Sequence, residues 1–401
     1  NVSGGQASLL IDDSRGHIPW LADRRSDIDW DFSRRYTRFL GEQKGWATQT
    51  LYRTNEDSDQ ILALLEDPHR PSASDRRGLV VGQVQSGKTS NYISLICKAA
   101  DAGYKFIVVL AGTTNSLRAQ TQLRMDEGFL GWDTRLNLAL NQTNLKVGVG
   151  TLFGEQLLPV IASTNAEERG DFSIRIANQF GVMLGGDPVI MIVKKNGSVL
   201  RNLIRWAGQR NTGASDGPID RVPLLVIDDE ADYASVNVRP SRSRDEDDED
   251  PSTINRRIRE LLDSFATSAY VGYTATPFAN IFISDEMSDR YGKDLFPRDF
   301  LINLPVPSNH LGPTTVFGLR TAPGLDIEPS EPLPLVVAVD DHRRYIPDVH
   351  RKTLILDELP PSLKEAIKAF ILACAARAAR GTVEQHNSML VHVTRFVDVP
   401  A

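Results

Sequence analysis

The clearest chemistry in the chain lies in one short run. Gly82-Gln83-Val84-Gln85-Ser86-Gly87-Lys88-Thr89 fits the pattern G-x-x-x-x-G-K-[ST] at every fixed position. Gly82 and Gly87 permit the dihedrals that curl main-chain N–H groups, those of Gln85 and Ser86 included, around a phosphate. A helix beginning near Gly87 would add its positive N-terminal end. Lys88 can reach β- and γ-phosphate oxygens, and Thr89, with Ser90 beside it, offers a hydroxyl to Mg²⁺. The expected ligand is a nucleoside triphosphate, ATP with Mg²⁺. The bland alternative is a glycine-rich turn with an exposed lysine.

A second run, Leu224-Leu225-Val226-Ile227-Asp228-Asp229-Glu230-Ala231-Asp232, reads as a buried strand ending in carboxylates. In phosphate-loop enzymes a strand-end Asp holds Mg²⁺, and an adjacent Glu positions or deprotonates the attacking water. The doubled Asp leaves two phases open. Asp-Glu-Ala-Asp at 229–232 assigns Asp229 to the metal and Glu230 to the water. Counting from the strand end puts Asp228 on the metal and Asp229 beside the water. The first phase is favoured, which makes Lys88, Asp229 and Glu230 the expected catalytic groups. A third run, Tyr270-Val271-Gly272-Tyr273-Thr274-Ala275-Thr276-Pro277, is a strand ending in two hydroxyls.

Positioning these groups needs strands that deliver them to one edge. Strand candidates are Leu79–Val81, Phe106–Leu110, Val189–Val193, Leu224–Ile227 and Ala269–Tyr273. Helix candidates between them are 90–100, 116–127, 174–180, 199–206 and 253–265. Such alternation predicts an α/β fold, a P-loop NTPase with a RecA-like parallel sheet and helices on both faces. The expected boundaries are a helical lead-in at 1–70, the RecA-like domain at 71–285, an irregular insertion at 286–355, and the start of a truncated second domain at 356–401. In that last segment Ser362-Leu363-Lys364-Glu365 reads as a capping box opening a helix to Arg380. Met389–Val393 follows as a strand.

Composition narrows the class. The chain has 401 residues, 41% hydrophobic and 24% charged, as in an ordinary globular protein. No run approaches the ~18 apolar residues of a membrane span. The N-terminus shows no signal pattern, so no membrane association and a cytoplasmic location are expected. Cys97 and Cys374 are too few and too distant for a disulfide framework or a thiolate metal site. The net charge of −7 gives no global case for nucleic acid. It is uneven, though: the six acids of Asp245–Asp250 account for nearly all of it, inside a polar stretch at 238–250 expected to be solvated.

The runs Gly78–Ala100, Val109–Gly112 with Leu117–Arg124, Asp228–Asp232, Gly272–Phe278, Leu359–Gly381 and His386–Phe396 resemble the Z1-domain family. These bacterial proteins carry a superfamily 2 helicase-type ATPase core and an endonuclease label, and many lie beside restriction or phage-defence genes. The resemblance implies a motor on DNA, double-stranded by preference, with other defence subunits as partners. It makes Thr274 and Thr276 hydroxyls that link nucleotide state to the nucleic-acid cleft. It places Gln120, Gln122 and Arg124 where helicases touch the nucleic-acid backbone. Arg118 and Arg124 stand about 600° apart around a helix, so they cannot share one phosphate track. Lys194 and Lys195, at a strand's C-terminal edge, are the better contact candidates.

The arginines that complete a superfamily 2 γ-phosphate site come from a second domain, and their motifs would follow residue 401. The expectation for this chain alone is nucleotide binding with little stimulated hydrolysis. The endonuclease label finds no support in residue spacing, since no paired acids with a spaced lysine occur. Two other functions stay open: a nucleotide-dependent switch on a protein partner, and the ATPase subunit of a nuclease.

Overall fold

The computed structural model describes residues 7–12, 16–83, 87–135, 145–152, 158–210, 217–233, 235, 251–281, 288–289, 292–293, 295–305, 311–319, 329–347, 349–351, 354, 358–381 and 386–391. They fall into two units, 1–310 and 311–401.

The first unit is built on an eight-stranded sheet. In chain order its strands are β1 (Ser8–Ile11), β2 (Ser74–Val81), β3 (Phe106–Ala111), β4 (Ile161–Ala162), β5 (Val189–Val193), β6 (Leu224–Asp229) and β7 (Thr267–Thr274). A small hairpin, β8 (Ser288–Asp289) with β9 (Gly292–Lys293), precedes the eighth, β10 (Phe300–Asn303). The spatial order is β1-β10-β2-β7-β6-β3-β5-β4, all parallel except for β1 on β10. Every residue of β3 and β5 is buried, as the unbroken apolar runs require of strands covered on both faces.

Alternation along the strands divides the core. Ile107 and Val109 face a layer made by α1 (Asp31–Glu42), α2 (Thr48–Leu64) and α3 (Lys88–Ala102). A fourth helix, α4 (Asn115–Met125), contributes Met125 to the same side. Phe106, Val108 and Leu110 face α5 (Gly197–Gln209) and α6 (Pro251–Asp263). The α/β class is therefore as expected, with helices on both faces.

The boundaries differ from expectation. Residues 1–70 are no separate lead-in: β1 joins the sheet edge, and α1 and α2 pack on α3. The unit also runs past 285, because β10 pairs in register with β2, Phe300 opposite Gly78. A Cβ at Gly78 would lie 2.0 Å from the Phe300 ring, so only glycine fits there. The early part of β2 escaped the sequence reading because it is charged. Arg76 and Arg77 are buried, and Asp299 ties them down: it pairs with Arg76 at 3.3 Å and accepts the Arg77 N–H at 2.7 Å.

Helix α1 has no capping side chain of its own. Asp101, near the end of α3, supplies it by accepting the N–H groups of Phe32 (3.0 Å) and Ser33 (2.9 Å). Burial, outweighing those donors, pushes the Asp101 carboxyl up to about 7. The folded state then holds a proton that the unfolded state, titrating near ~3.9, has released. This contribution to stability is complete below the unfolded value and is lost as pH rises through about 7. Asp101→Asn, which cannot titrate, is expected to flatten the fall in urea midpoint between pH 5 and pH 8. An unchanged slope would remove Asp101 from the account.

The second unit spans residues 311–401. It contains α7 (Pro361–Ala379), none of whose residues is buried. Ser362 does not form the expected capping box, because Pro360 is the N-cap and Ser362 lies inside the first turn. The Asp341 carboxylate caps the helix instead, accepting from Ser362 N at 3.0 Å and Ser362 Oγ at 2.6 Å. Residues 389–391 form no strand, and 392–393 lie outside the described residues, as do 238–250. Among the described residues no helix is long and apolar enough to cross a membrane.

Candidate active site

Strand order brings the three motifs together. Strand β2, which leads into the Gly82–Thr89 run, lies beside β7, and β7 beside β6, so their carboxyl ends are neighbours. Ligands of open α/β sheets gather at that edge. Backbone bonds stitch the loops there: Gly82 N donates to Thr274 O at 3.0 Å, and Ala231 N to Tyr273 O at 2.9 Å. Between them opens a cavity of about 930 Å³, lined among others by Gly87, Lys88, Thr89, Ser90, Asp229, Glu230, Asp232, Thr274 and Thr276.

Gly87 caps α3 with φ +90, a conformation that side-chain-bearing residues rarely adopt. The fixed motif glycine thus turns the chain into the helix whose N-terminus faces the cavity. The Lys88 ammonium donates to Gly82 O at 2.8 Å and Gln83 O at 3.0 Å. Burial lowers its pKa from the ordinary value, against the pull of Asp229, Asp232 and Glu230. Gly82 itself is buried behind the loop, and Gln85 and Ser86 lie outside the described residues. Ser90 is half-buried and holds the Tyr36 hydroxyl of α1.

The doubled aspartate separates by environment. Asp228 is fully buried, ion-paired with Lys195 at 2.7 Å, and accepts the Tyr270 hydroxyl at 2.6 Å. It does not line the cavity. Asp229 does, and it accepts the Tyr92 hydroxyl at 3.2 Å. Burial raises its pKa, opposed by Lys195 and raised further by Glu230. Glu230 is exposed at the cavity and carries φ +56, strain that a non-glycine residue keeps only when its surroundings impose it.

Asp232, the last acid of the run, has a role the sequence reading left blank. Thr274 Oγ1 donates to its Oδ1 at 2.7 Å, and Thr276 Oγ1 donates to Oδ2. Thr276 N in turn donates to Thr274 Oγ1 at 2.9 Å. Both threonines expected to couple are thus bound to the acidic turn through one carboxylate. The spacing alone could have suggested a partner for two adjacent hydroxyls, but not which acid.

The nucleic-acid candidates fare differently, and Gln122 is fully buried. Lys195 is withdrawn: its side chain is 0% exposed, because Asp228 draws it inward. Lys194 is half-buried and donates to Asn115 at 3.2 Å. Gln120 and Arg124 are exposed on α4, but they line the same cavity as Lys88 and Asp229, and Arg124 donates to Thr89 Oγ1 at 3.1 Å. Arg118 is fully buried on the opposite side of that helix, held by Asn165 O at 2.9 Å.

A magnesium ion fits the donors present. The Tyr92 hydroxyl is within hydrogen-bonding range of both Thr89 and Asp229, so a hydroxyl and a carboxylate converge on one spot. Hard oxygen donors in small number, completed by phosphate and water, suit Mg²⁺. No group of three or more His, Cys, Asp or Glu side chains suited to a metal occurs among the described residues.

Residues 362–401 match the Z1 domain. The matched Z1 segment contains most of α7 and lies wholly in the second unit, about a tenth of the chain. No curated protein matches the chain.

Proposed function

We propose that the chain binds ATP with Mg²⁺ and hydrolyses it, as the P-loop NTPase domain of a superfamily 2 helicase-like motor acting on double-stranded DNA in a bacterial restriction or anti-phage system. The observation that carries this is the cavity in which Lys88 and Thr89, at the N-terminus of α3, meet Asp229 and Glu230, with Asp232 tied to Thr274 and Thr276. In this reading Lys88 and the α3 N-terminus hold the phosphates. Thr89 and Asp229 would hold Mg²⁺, which when bound neutralises charge on the β- and γ-phosphate oxygens. Glu230 orients the attacking water and takes its proton. The Asp232–threonine link carries the state of this site to the neighbouring loop. The DNA and defence setting rests on the Z1 resemblance.

The test is the ATPase rate of the full-length protein with and without duplex DNA, with Glu230→Gln as control. Stimulation by DNA that vanishes in the control supports a motor. Hydrolysis indifferent to DNA favours a nucleotide-dependent switch on a protein partner.

A further inference from the structure

Lys195 is one of the largest fully buried side chains, and it lies outside the cavity. It follows β5, and its own N–H donates to Gly112 O at 2.8 Å, just past β3. From there its side chain reaches the end of β6. The ammonium sits 2.7 Å from Asp228 Oδ1 and donates to Glu230 O at 2.7 Å and Tyr233 O at 2.9 Å. Two of the ammonium's hydrogens go to those carbonyls, and its charge pairs with the Asp228 carboxylate. Tyr233 N closes the same turn on Glu230 O at 2.9 Å. Among the four residues between the anchored ends, Asp228 and Tyr233, is Glu230 in its left-handed conformation. Burying a lysine needs a full set of partners, and these partners all belong to one acidic turn.

We propose that Lys195 is a positioning residue: its buried ammonium locks the turn from Asp228 to Tyr233 so that the Glu230 carboxylate faces the phosphate cavity. The proposal rests on the ATPase reading above. It assigns Lys195 no contact with nucleotide, metal or nucleic acid. Displacement of the turn would move a base by a fraction of an ångström to an ångström, enough to cost about 10²-fold in rate.

Removing Lys195 alone would strand Asp228 as an unpaired buried charge. The test therefore pairs Lys195→Met with Asp228→Asn, which keeps an acceptor for Tyr270. In the full-length protein, thermal unfolding, fluorescent-ATP affinity and ATPase rate are measured for the pair, for Glu230→Gln, and for the combination. The expected result is kcat lowered about 10²-fold with affinity within about threefold of wild type, and almost no further loss in the Glu230→Gln background. Non-additivity is the discriminating sign, because a merely structural role would not depend on Glu230.

A folded pair with near-wild-type kcat, or losses that multiply with Glu230→Gln, overturns the proposal. If the pair does not fold, Lys195→Arg decides. Its planar fork cannot reproduce both carbonyl bonds and the Asp228 ion pair, so kcat falls at unchanged affinity, and an unchanged kcat overturns the idea. A wild type that binds ATP without hydrolysing it, or binds none, sinks the ATPase reading and this one with it. A wild type that hydrolyses while the variants do too sinks only this one.

Discussion

Lys88→Ala lowers affinity for Mg·ATP by about 10²–10³-fold, the equivalent of roughly 3–4 kcal/mol for a charge-assisted contact to phosphate. The effect is large because the site is otherwise acidic. Asp229, Glu230 and Asp232 line the same cavity, and each pulls on the Lys88 proton. Without the ammonium, a triphosphate meets three carboxylates, offset only by the N-terminus of α3 and by Lys44 and Arg124 on the cavity wall. The fold should survive. Lys88 is half-buried, and the bonds it gives up are those to the carbonyls of Gly82 and Gln83. Fluorescent-nucleotide titration beside thermal unfolding separates the two effects. Affinity within about threefold of wild type, in a folded variant, would mean that phosphate does not sit on this loop.

How far these groups could be read from sequence depended on whether local chemistry or tertiary packing fixed them. β3, β5 and β6 were legible because a strand buried on both faces must be apolar throughout, and short apolar runs between helical periods have few other uses. The turn into α3 was legible for a similar reason: Gly87 needs its left-handed dihedral, and that requirement leaves a residue type behind. The first half of β2 was illegible, since Arg76 and Arg77 look like a solvated turn until Asp299, more than two hundred residues away, pairs with Arg76 and accepts the Arg77 backbone N–H, while Asp75 pairs the Arg77 guanidinium.

Lys195 failed for the same physical reason. A lysine at a strand's C-terminal edge is ordinarily a surface group, and only Asp228, two strands across the sheet, explains its burial. The helix start at Ser362 misled in the opposite direction. A complete local capping pattern was present, and a carboxylate from Asp341 took its place. Long-range partners for charged residues leave no periodicity, whereas backbone constraints and buried faces do.

The same buried pair keeps Asp228 off the cavity and leaves Asp229 and Glu230 on it, and so sets the last expectation. Glu230→Gln lowers kcat by about 10²–10⁴-fold, the range for loss of a positioned general base, and leaves ATP affinity equal or higher. Gln keeps the size and one acceptor of Glu but cannot take a proton, and it removes one negative charge from beside the phosphates. Asp229→Asn should act differently, weakening the response to Mg²⁺ concentration, because its carboxylate shares the Tyr92 hydroxyl with Thr89. Asp228→Asn should chiefly cost stability, since that side chain is fully buried against Lys195 and Tyr270. ATP turnover and Mg²⁺ titration of the three variants distinguish the two phases of the doubled aspartate. Undiminished hydrolysis by Glu230→Gln, with hydrolysis lost in Asp229→Asn, would shift the water-activating role back by one residue. The ion pair buried between Lys195 and Asp228 would then have to open to free a metal ligand, a rearrangement that costs several kcal/mol per desolvated charge.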